Sequence, residues 1–194
     1  IAGKEHTATD YSTYALPDPI AEWDMCPRFH AVAPNFDTCA RVLDVACGNG
    51  AFAIGLARQY PHLHILGLDY SPGNIERAKA GAETAGVSDR VTFIQHAIWD
   101  FVDQRLADGV RDVVQASAPF DGMFAGEFLE HIADTPGLID SLGTLVADGA
   151  VIFYTVPHGP FDEIRGRGEP RKRSHVHHFQ HDDLTEVFGK KRQL

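Results

Sequence analysis

The sequence predicts an α/β fold built on a doubly wound, mostly parallel sheet, and three observations predict it. Short apolar segments alternate with helix-like ones along residues 41–156. Those apolar segments carry no regular polar face, as strands buried on both sides do not. The first of them, RVLDVA, runs into the bend CGNG and then directly into a helical pattern. Strand, helix and strand in that order imply parallel pairing, with ligands bound at the carboxyl ends of the strands.

The elements follow in order. Residues 1–37 are polar and broken by prolines, with aromatics at Tyr11, Tyr14, Trp23 and Phe29. They are expected to form an N-terminal helical cap, with one or two short helices, for example over 19–32. Residues 38–194 then form the sheet domain. Strands are predicted at Arg41–Ala46, His64–Asp69, Val91–Gln95, Asp121–Ala125 and Ala150–Val156. A helix over Asn49–Tyr60 follows the bend. A second, over Pro72–Ala85, has Ser71 as its cap and Pro72 in its first turn. A third, over 136–147, places Leu138, Leu142, Leu145 and Val146 on one face, with Gly149 as its stop. Trp99 and Phe101 read as core.

A chain of 194 residues suffices for one domain with a real core, and its 44% hydrophobic and 23% charged residues are those of a globular protein. The net charge of −10 argues against a general nucleic-acid binder. No apolar run approaches the roughly 20 residues that span a bilayer. No signal-peptide pattern opens the chain, and its start at Ile1 suggests an excerpt. Cys26, Cys39 and Cys47 have no CxxC spacing, which fits a reducing, cytoplasmic setting.

Three ligand classes compete for the glycine bend. A nucleoside triphosphate would require GxxxxGK[ST], and no lysine follows Gly50. A dinucleotide would use GxGxxA, which Gly48, Gly50 and Ala53 satisfy, with Asp69 spaced to meet a ribose hydroxyl. Asp44, four positions before Gly48, weighs against that. Its carboxylate would repel a pyrophosphate and attract an ammonium or sulfonium group. The plainer alternative is an Asp that only caps the bend through backbone hydrogen bonds.

The segments VLDVACGNG, ILGLDYS with NIERAKA, VTFIQHAIWDF, FDGMFAGEFLEHI and LVADGAVIFYTVP occur in that order over roughly residues 40–157. Together they closely resemble class I S-adenosylmethionine-dependent methyltransferases, with a fainter likeness continuing through HVHHFQHDDLTEVF. The resemblance implies a Rossmann-like fold in which residues 38–194 bind S-adenosylmethionine. It also implies two further antiparallel strands, which the sequence given does not contain. It places Gly48 and Gly50, with Ala46, where the backbone meets the methionine moiety, and Asp44 where that end is oriented. Asp69 would bind the ribose and Tyr70 would pack on the adenine. The family usually has an acidic residue after the third strand, but Ala97 stands there. The adenine would then meet the Ile98 backbone, near Trp99 or Asp100. Ala125, Gly126 and Glu127 would border the methionine end.

GEFLEHI holds Glu127, Glu130 and His131. On a helix, Glu127 and His131 would share a face at i, i+4. Two carboxylates and an imidazole suit Mg²⁺ or Mn²⁺. Similar ExxEH stretches occur in ubiquinone-biosynthesis O-methyltransferases and in small-RNA 2′-O-methyltransferases. In the latter a further histidine lies near an HxF segment, matched here by His177 and Phe179. The metal reading therefore takes Glu127, Glu130, His131 and His177. The alternative is a metal-free local polar pair, Glu130–His131, with Glu127 near the cofactor. His131 is the leading proton acceptor, because an imidazole titrates near neutrality. His158 is second, against its reading as a solvated loop residue. The basic loop EIRGRGEPRKR, residues 163–173, would grip an anionic substrate group or be solvated. His175, His177, His178 and His181 read as a surface-to-core transition with Phe179 buried. The expectation is methyl transfer to a hydroxyl, or an amine, of a small-molecule acceptor. RNA 2′-O-methylation, a nicotinamide-dependent oxidoreductase and a non-catalytic adenosyl-binding module are the alternatives. The sequence does not specify the oligomeric state.

Overall fold

The structure is a computed structural model, and it describes residues 18–102, 108–157, 177, 179, 180 and 182. The cap begins with α1 (Pro19–Met25), whose first turn is closed by Asp18: Oδ1 accepts from the backbone N–H of Ile20 and Ala21. α2 (Pro27–Val32) is a separate helix. Cys26 is extended between them, because a residue before proline is pushed out of the helical region. A 3₁₀ turn over Ala33–Phe36 leads into the sheet.

Five parallel strands make the sheet: β1 (Arg41–Val45), β2 (His64–Asp69), β3 (Val91–Gln95), β4 (Phe120–Gly126) and β5 (Val146–Thr155). Their order is β3-β2-β1-β4-β5, so the winding reverses between β1 and β4. Around them lie α3 (Ala51–Gln59), α4 (Pro72–Ala85), α5 (Trp99–Val102), α6 (Asp108–Ser117) and α7 (Thr135–Gly143). The buried side chains form two clusters, one on each side of the sheet. One joins Trp23, Phe29 and Phe36 of the cap to Phe52 and Ile54 of α3. The other joins Leu43, Leu66 and Met123 of the strands to Leu138 and Leu142 of α7. This is the doubly wound arrangement expected from the alternation of elements.

Several boundaries differ from expectation by a residue or more, and those around the bend and before β5 have a clear cause. β1 stops at Val45 because Ala46 turns left-handed, with φ 56°. α3 starts at Ala51, after Gly50 at φ 81°. α7 ends at Gly143, and Val146 opens β5 instead of completing a helical face. The β4–β5 register shifts between Phe120 and Gly122, and Gly149, at φ 76°, bends the strand within that irregularity rather than stopping a helix.

The cap is seated on α3. Trp23 is buried against Gly55, where a Cβ would collide with its indole ring. Among the described residues, no helix is long and apolar enough to cross a membrane.

Candidate cofactor and acceptor site

A cavity of about 290 Å³ opens at the carboxyl ends of the strands, where the winding reverses. The residues after the two strands flanking that point, Ala46 after β1 and Glu127 after β4, are both left-handed with φ 56°. Non-glycine residues adopt this conformation at a cost, and such strain concentrates at binding sites. Both residues line the cavity.

The bend is stitched to β2. Cys47 donates its N–H to the Leu68 carbonyl at 2.9 Å, and Gly48 donates to Asp69 Oδ2 at 2.9 Å. Asp69 Oδ1 accepts from the Ser71 N–H at 2.9 Å and from Asn74 Nδ2 at 3.2 Å. A carboxylate offers about four acceptor positions. Oδ1 is thus filled and Oδ2 retains one. Burial pushes the Asp69 pKa up, while the bonds from Ser71, Gly48 and Asn74 pull it down.

Two buried acceptors at the cavity wall have no partner among the described residues. One is Asp44 Oδ2; the other is Asn74 Oδ1. Asp44 is 2% exposed, and its carboxyl group accepts a backbone hydrogen bond from Ala53. Burial first, and then the neighbouring Asp69 charge, raise its pKa well above the usual carboxylate value. An unpartnered buried acceptor is costly, so these two atoms suit hydrogen-bond donors such as the hydroxyl or ammonium groups of a ligand. The residues present therefore fit an adenosyl amino acid. At the third-strand end, Ile98 is buried at the wall, and Tyr70 and Trp99 line it with ring centroids 5.6 Å apart.

Gly48 and Gly50 have separate tasks. A Cβ on Gly48 would meet nothing within 4 Å, so its backbone is open to the cavity it lines. A Cβ on Gly50 would lie 2.7 Å from the Phe93 ring and 2.9 Å from Ala78 Cβ. Gly50 lets α3 close against β3 and α4 and is not part of the wall.

Other expected residues fall away from the wall. Ala97 accepts from the Asp100 N–H and caps α5. Asp100 lies 3.8 Å from His96 Nε2 rather than at the cavity. Ala125 is buried within β4, and Gly126 takes its place at the wall. Trp99, expected in the core, packs against it and lines the cavity as well.

The expected metal geometry is not formed. Glu127 is left-handed at the end of β4, and only Leu129–His131 forms a turn of 3₁₀ helix, so Glu127 and His131 share no helical face. Glu127 instead pairs with Arg28 of α2 at 2.9 Å. Glu130 is 2% exposed, with Oε1 3.8 Å from His131 Nε2. His177 does reach this turn, donating its N–H to the Glu130 carbonyl at 3.1 Å, but its Nε2 lies 3.3 Å from the Ala133 carbonyl. Among the described residues, no group of three or more metal-ligating side chains comes together. His131 lines the cavity, beside Phe128 and Ile132. Phe179 is buried with Leu129 and Ile132, as expected. Tyr11, Tyr14, His158, the 163–173 loop, His175, His178 and His181 lie outside the described residues.

The sequence reading missed Glu22, Arg28, Asn49 and Asn74. Asn49 Nδ2 donates to Glu22 Oε2 at 2.8 Å, tying the bend to α1, and all four residues line the cavity. Asn74 was the most accessible of them, three residues after the Ser71 cap and so on the first turn of α4.

A family model described as "Methyltransferase domain" matches residues 20–194. A ubiquinone biosynthesis O-methyltransferase of Methylocella silvestris is 33% identical over 113 residues, which are 58% of this chain and 38% of that protein. One from Xylella fastidiosa is 31% identical over 117 residues, 60% of this chain and 41% of that protein. The chain thus spans about two-fifths of the length of these relatives. A Geobacter sulfurreducens S-adenosylmethionine-dependent methyltransferase, solved with S-adenosylhomocysteine, has a TM-score of 0.54 at 23% identity, covering 74% of this chain and 51% of that one. The [4+2]-cyclase SpnF shares the fold at a TM-score of 0.54 and 23% identity, covering 66% and 43%. The family model spans every strand of the sheet and both walls of the cavity, and the chain belongs to the methyltransferase-domain family.

Proposed function

We propose that this chain binds S-adenosylmethionine in the cavity between β1 and β4 and transfers its methyl group to a hydroxyl of a small-molecule acceptor. The observation that carries the reading is the pair of unpartnered acceptors, Asp44 Oδ2 and Asn74 Oδ1, flanking a glycine backbone open to the same cavity. Asp69 Oδ2 and Asn74 Oδ1 would receive the ribose hydroxyls. Tyr70, Ile98 and Trp99 would hold the adenine. Gly48 would meet the methionine end, with Asp44 as the negative charge nearest it. When bound, S-adenosylmethionine supplies a methyl group on a positively charged sulfur. The acceptor oxygen forms the new bond to that carbon as the sulfur–carbon bond breaks, with the electron pair going to sulfur. His131, at the wall with Phe128 and Ile132, would position the acceptor hydroxyl and take its proton. Membership of a methyltransferase family supports this reading, and the ubiquinone-biosynthesis relatives favour a hydroxyl acceptor.

The test is calorimetry with S-adenosylhomocysteine and with NAD, followed by labelled methyl transfer into a metabolite extract. Binding of the first ligand alone, with label in an extract component, is expected. Binding of NAD without S-adenosylhomocysteine would overturn the reading. Adenosyl binding with no methyl transfer to any extract would reduce it to an adenosyl-binding module.

A further inference from the structure

The far end of the sheet holds a second cavity, a cleft of about 180 Å³. It opens at the amino-terminal edge, where β1 and β2 begin with Arg41 and His64 and β3 reaches Thr92 at its second residue. Side chains alternate between faces along a strand, and parallel register carries the alternation across the sheet. Arg41 pairs with His64, and Thr92 with Leu66. Arg41 thus shares the face of Leu43, His64 that of Leu66, and Thr92 that of Ile94. This is one face of the sheet, and Val110 and Val114 of α6 cover it. Ser117, in the last turn of α6, forms the opposite wall, and the buried Leu66 and Phe120 supply the apolar lining.

Three donors in this cleft are unspent. The side chains of Arg41, His64 and Thr92 are exposed, and none has a hydrogen bond or ion pair among the described residues. The other polar groups here are committed. Arg90 turns towards α3, donating Nη1 to the Ala57 carbonyl at 2.9 Å, with its Nε 3.6 Å from Asp89 Oδ1. Ser117 Oγ donates to the Val113 carbonyl at 2.8 Å. Asp121 stands at the same edge, but its carboxylate accepts from the Ala40 and Arg41 N–H groups at 2.8 Å, and it is not part of the wall. The unspent donors therefore stand side by side on three adjacent strands, about 4.8 Å apart from one strand to the next.

We infer that this cleft binds a small, soluble phosphate monoester. The fork of Arg41 takes two phosphate oxygens, His64 and Thr92 share the third, and the organic part lies along Leu66 and Phe120. A carboxylate has only two oxygens, which the guanidinium alone would occupy, leaving His64 and Thr92 unused. A terminal phosphate has three. A recess between a helix end and a sheet edge suits a small molecule better than the headgroup of a lipid held in a bilayer. The net charge of −10 repels anions at a distance, so the attraction is local to Arg41. The inference does not depend on the reading of the first cavity, since Asp44 and Asp69 lie towards the opposite ends of the same strands.

The experiment titrates glycerol 3-phosphate into the chain by calorimetry at constant ionic strength, with glycerol and acetate as controls and a thermal melt of every variant as the folding check. One-site, saturable binding of glycerol 3-phosphate is expected, with none of glycerol and acetate weaker by roughly tenfold. Arg41→Gln should weaken binding by roughly tenfold or more, and Thr92→Val by roughly two- to tenfold. Arg41→Lys, which keeps the charge and loses the fork, should fall between Arg41→Gln and the unaltered chain. Arg58→Gln removes an exposed arginine of α3 outside the cleft and should change affinity by less than about twofold. No saturation by about 10 mM ligand would overturn the inference. So would equal losses in Arg41→Gln and Arg58→Gln, which would mean diffuse attraction, or unchanged affinity in folded Arg41→Gln and Arg41→Lys. Acetate binding as well as glycerol 3-phosphate would remove the phosphate class. Sedimentation of the chain with phosphatidylcholine vesicles containing phosphatidic acid, without binding of glycerol 3-phosphate, would assign the cleft to a membrane and overturn the soluble ligand.

Discussion

Asn74 Nδ2 donates to Asp69 Oδ1 at 3.2 Å, and that bond fixes which way the amide faces. Its nitrogen is committed to the carboxylate, so its oxygen is the atom left unpartnered at the cavity wall. In the proposed complex a second ribose hydroxyl would meet this oxygen on α4, and Asp69 would need to accept only one.

Substitutions at the two residues should differ in kind. Asn74→Ala should weaken S-adenosylhomocysteine binding by roughly 0.5–1.5 kcal/mol, the scale of a neutral hydrogen bond. Asp69→Ala should weaken it by roughly 1.5–3 kcal/mol and also lower the melting temperature, since the Gly48 and Ser71 N–H groups lose their acceptor. Calorimetry with parallel melts checks both. Unchanged affinity in both variants would place the ribose elsewhere.

Asp44 should make stability and binding depend on pH in opposite senses. Its folded pKa is raised, by burial first, so the native state keeps a proton that the unfolded chain has already released. That contribution is complete below the unfolded value of 3.8 and is lost as pH rises towards the folded value. A cationic ligand favours the ionised form, so affinity for S-adenosylmethionine should rise with pH through the same window. Affinity for the uncharged-sulfur product should rise less. Asp44→Asn should flatten both profiles, read as melting temperature against pH with and without ligand. Profiles that do not change in this variant would remove Asp44 from the site.

Gly48→Ala and Gly50→Ala should separate binding from stability. At Gly48 the cost is the left-handed backbone alone, about 1–2 kcal/mol, but the new methyl group enters the cavity and binding should fail. At Gly50 the same strain adds to a collision with Phe93 and Ala78, for about 2–4 kcal/mol of lost stability. Chemical denaturation and calorimetry on both variants check this. Equal stabilities would contradict the division of labour.

His131→Ala should lower methyl transfer by roughly 10²–10⁴-fold with cofactor affinity little changed, if the imidazole takes the acceptor proton. EDTA should leave the rate unaltered, because the ExxEH side chains face different partners. Loss of turnover in EDTA, restored by Mg²⁺ or Mn²⁺, would return the metal reading to the front. Full activity of the variant would leave catalysis to positioning alone.

What the sequence made legible was local. Asp44, Gly48 and Asp69 belong to one strand–bend–helix–strand unit, so their spacing already places them at the carboxyl ends of two adjacent parallel strands. The end of α7 was not legible, because Leu145 and Val146 continue its apolar spacing although Val146 pairs with Phe120. Glu127 was misplaced for a related reason. The i, i+4 spacing to His131 is helical only if the backbone is, and here one left-handed residue breaks it. Arg28, Glu22 and Asn49 depend on how a cap some twenty positions upstream folds over the bend, which no short motif encodes.

The Trp23–Gly55 contact has a consequence for how the molecule comes apart. With its indole filling the place of a side chain on α3, α1 cannot lift away without opening a hole in the core. The roof of the cavity and the helix that follows the glycine bend should therefore exchange their amide protons as one cooperative unit, with neither fraying ahead of the other.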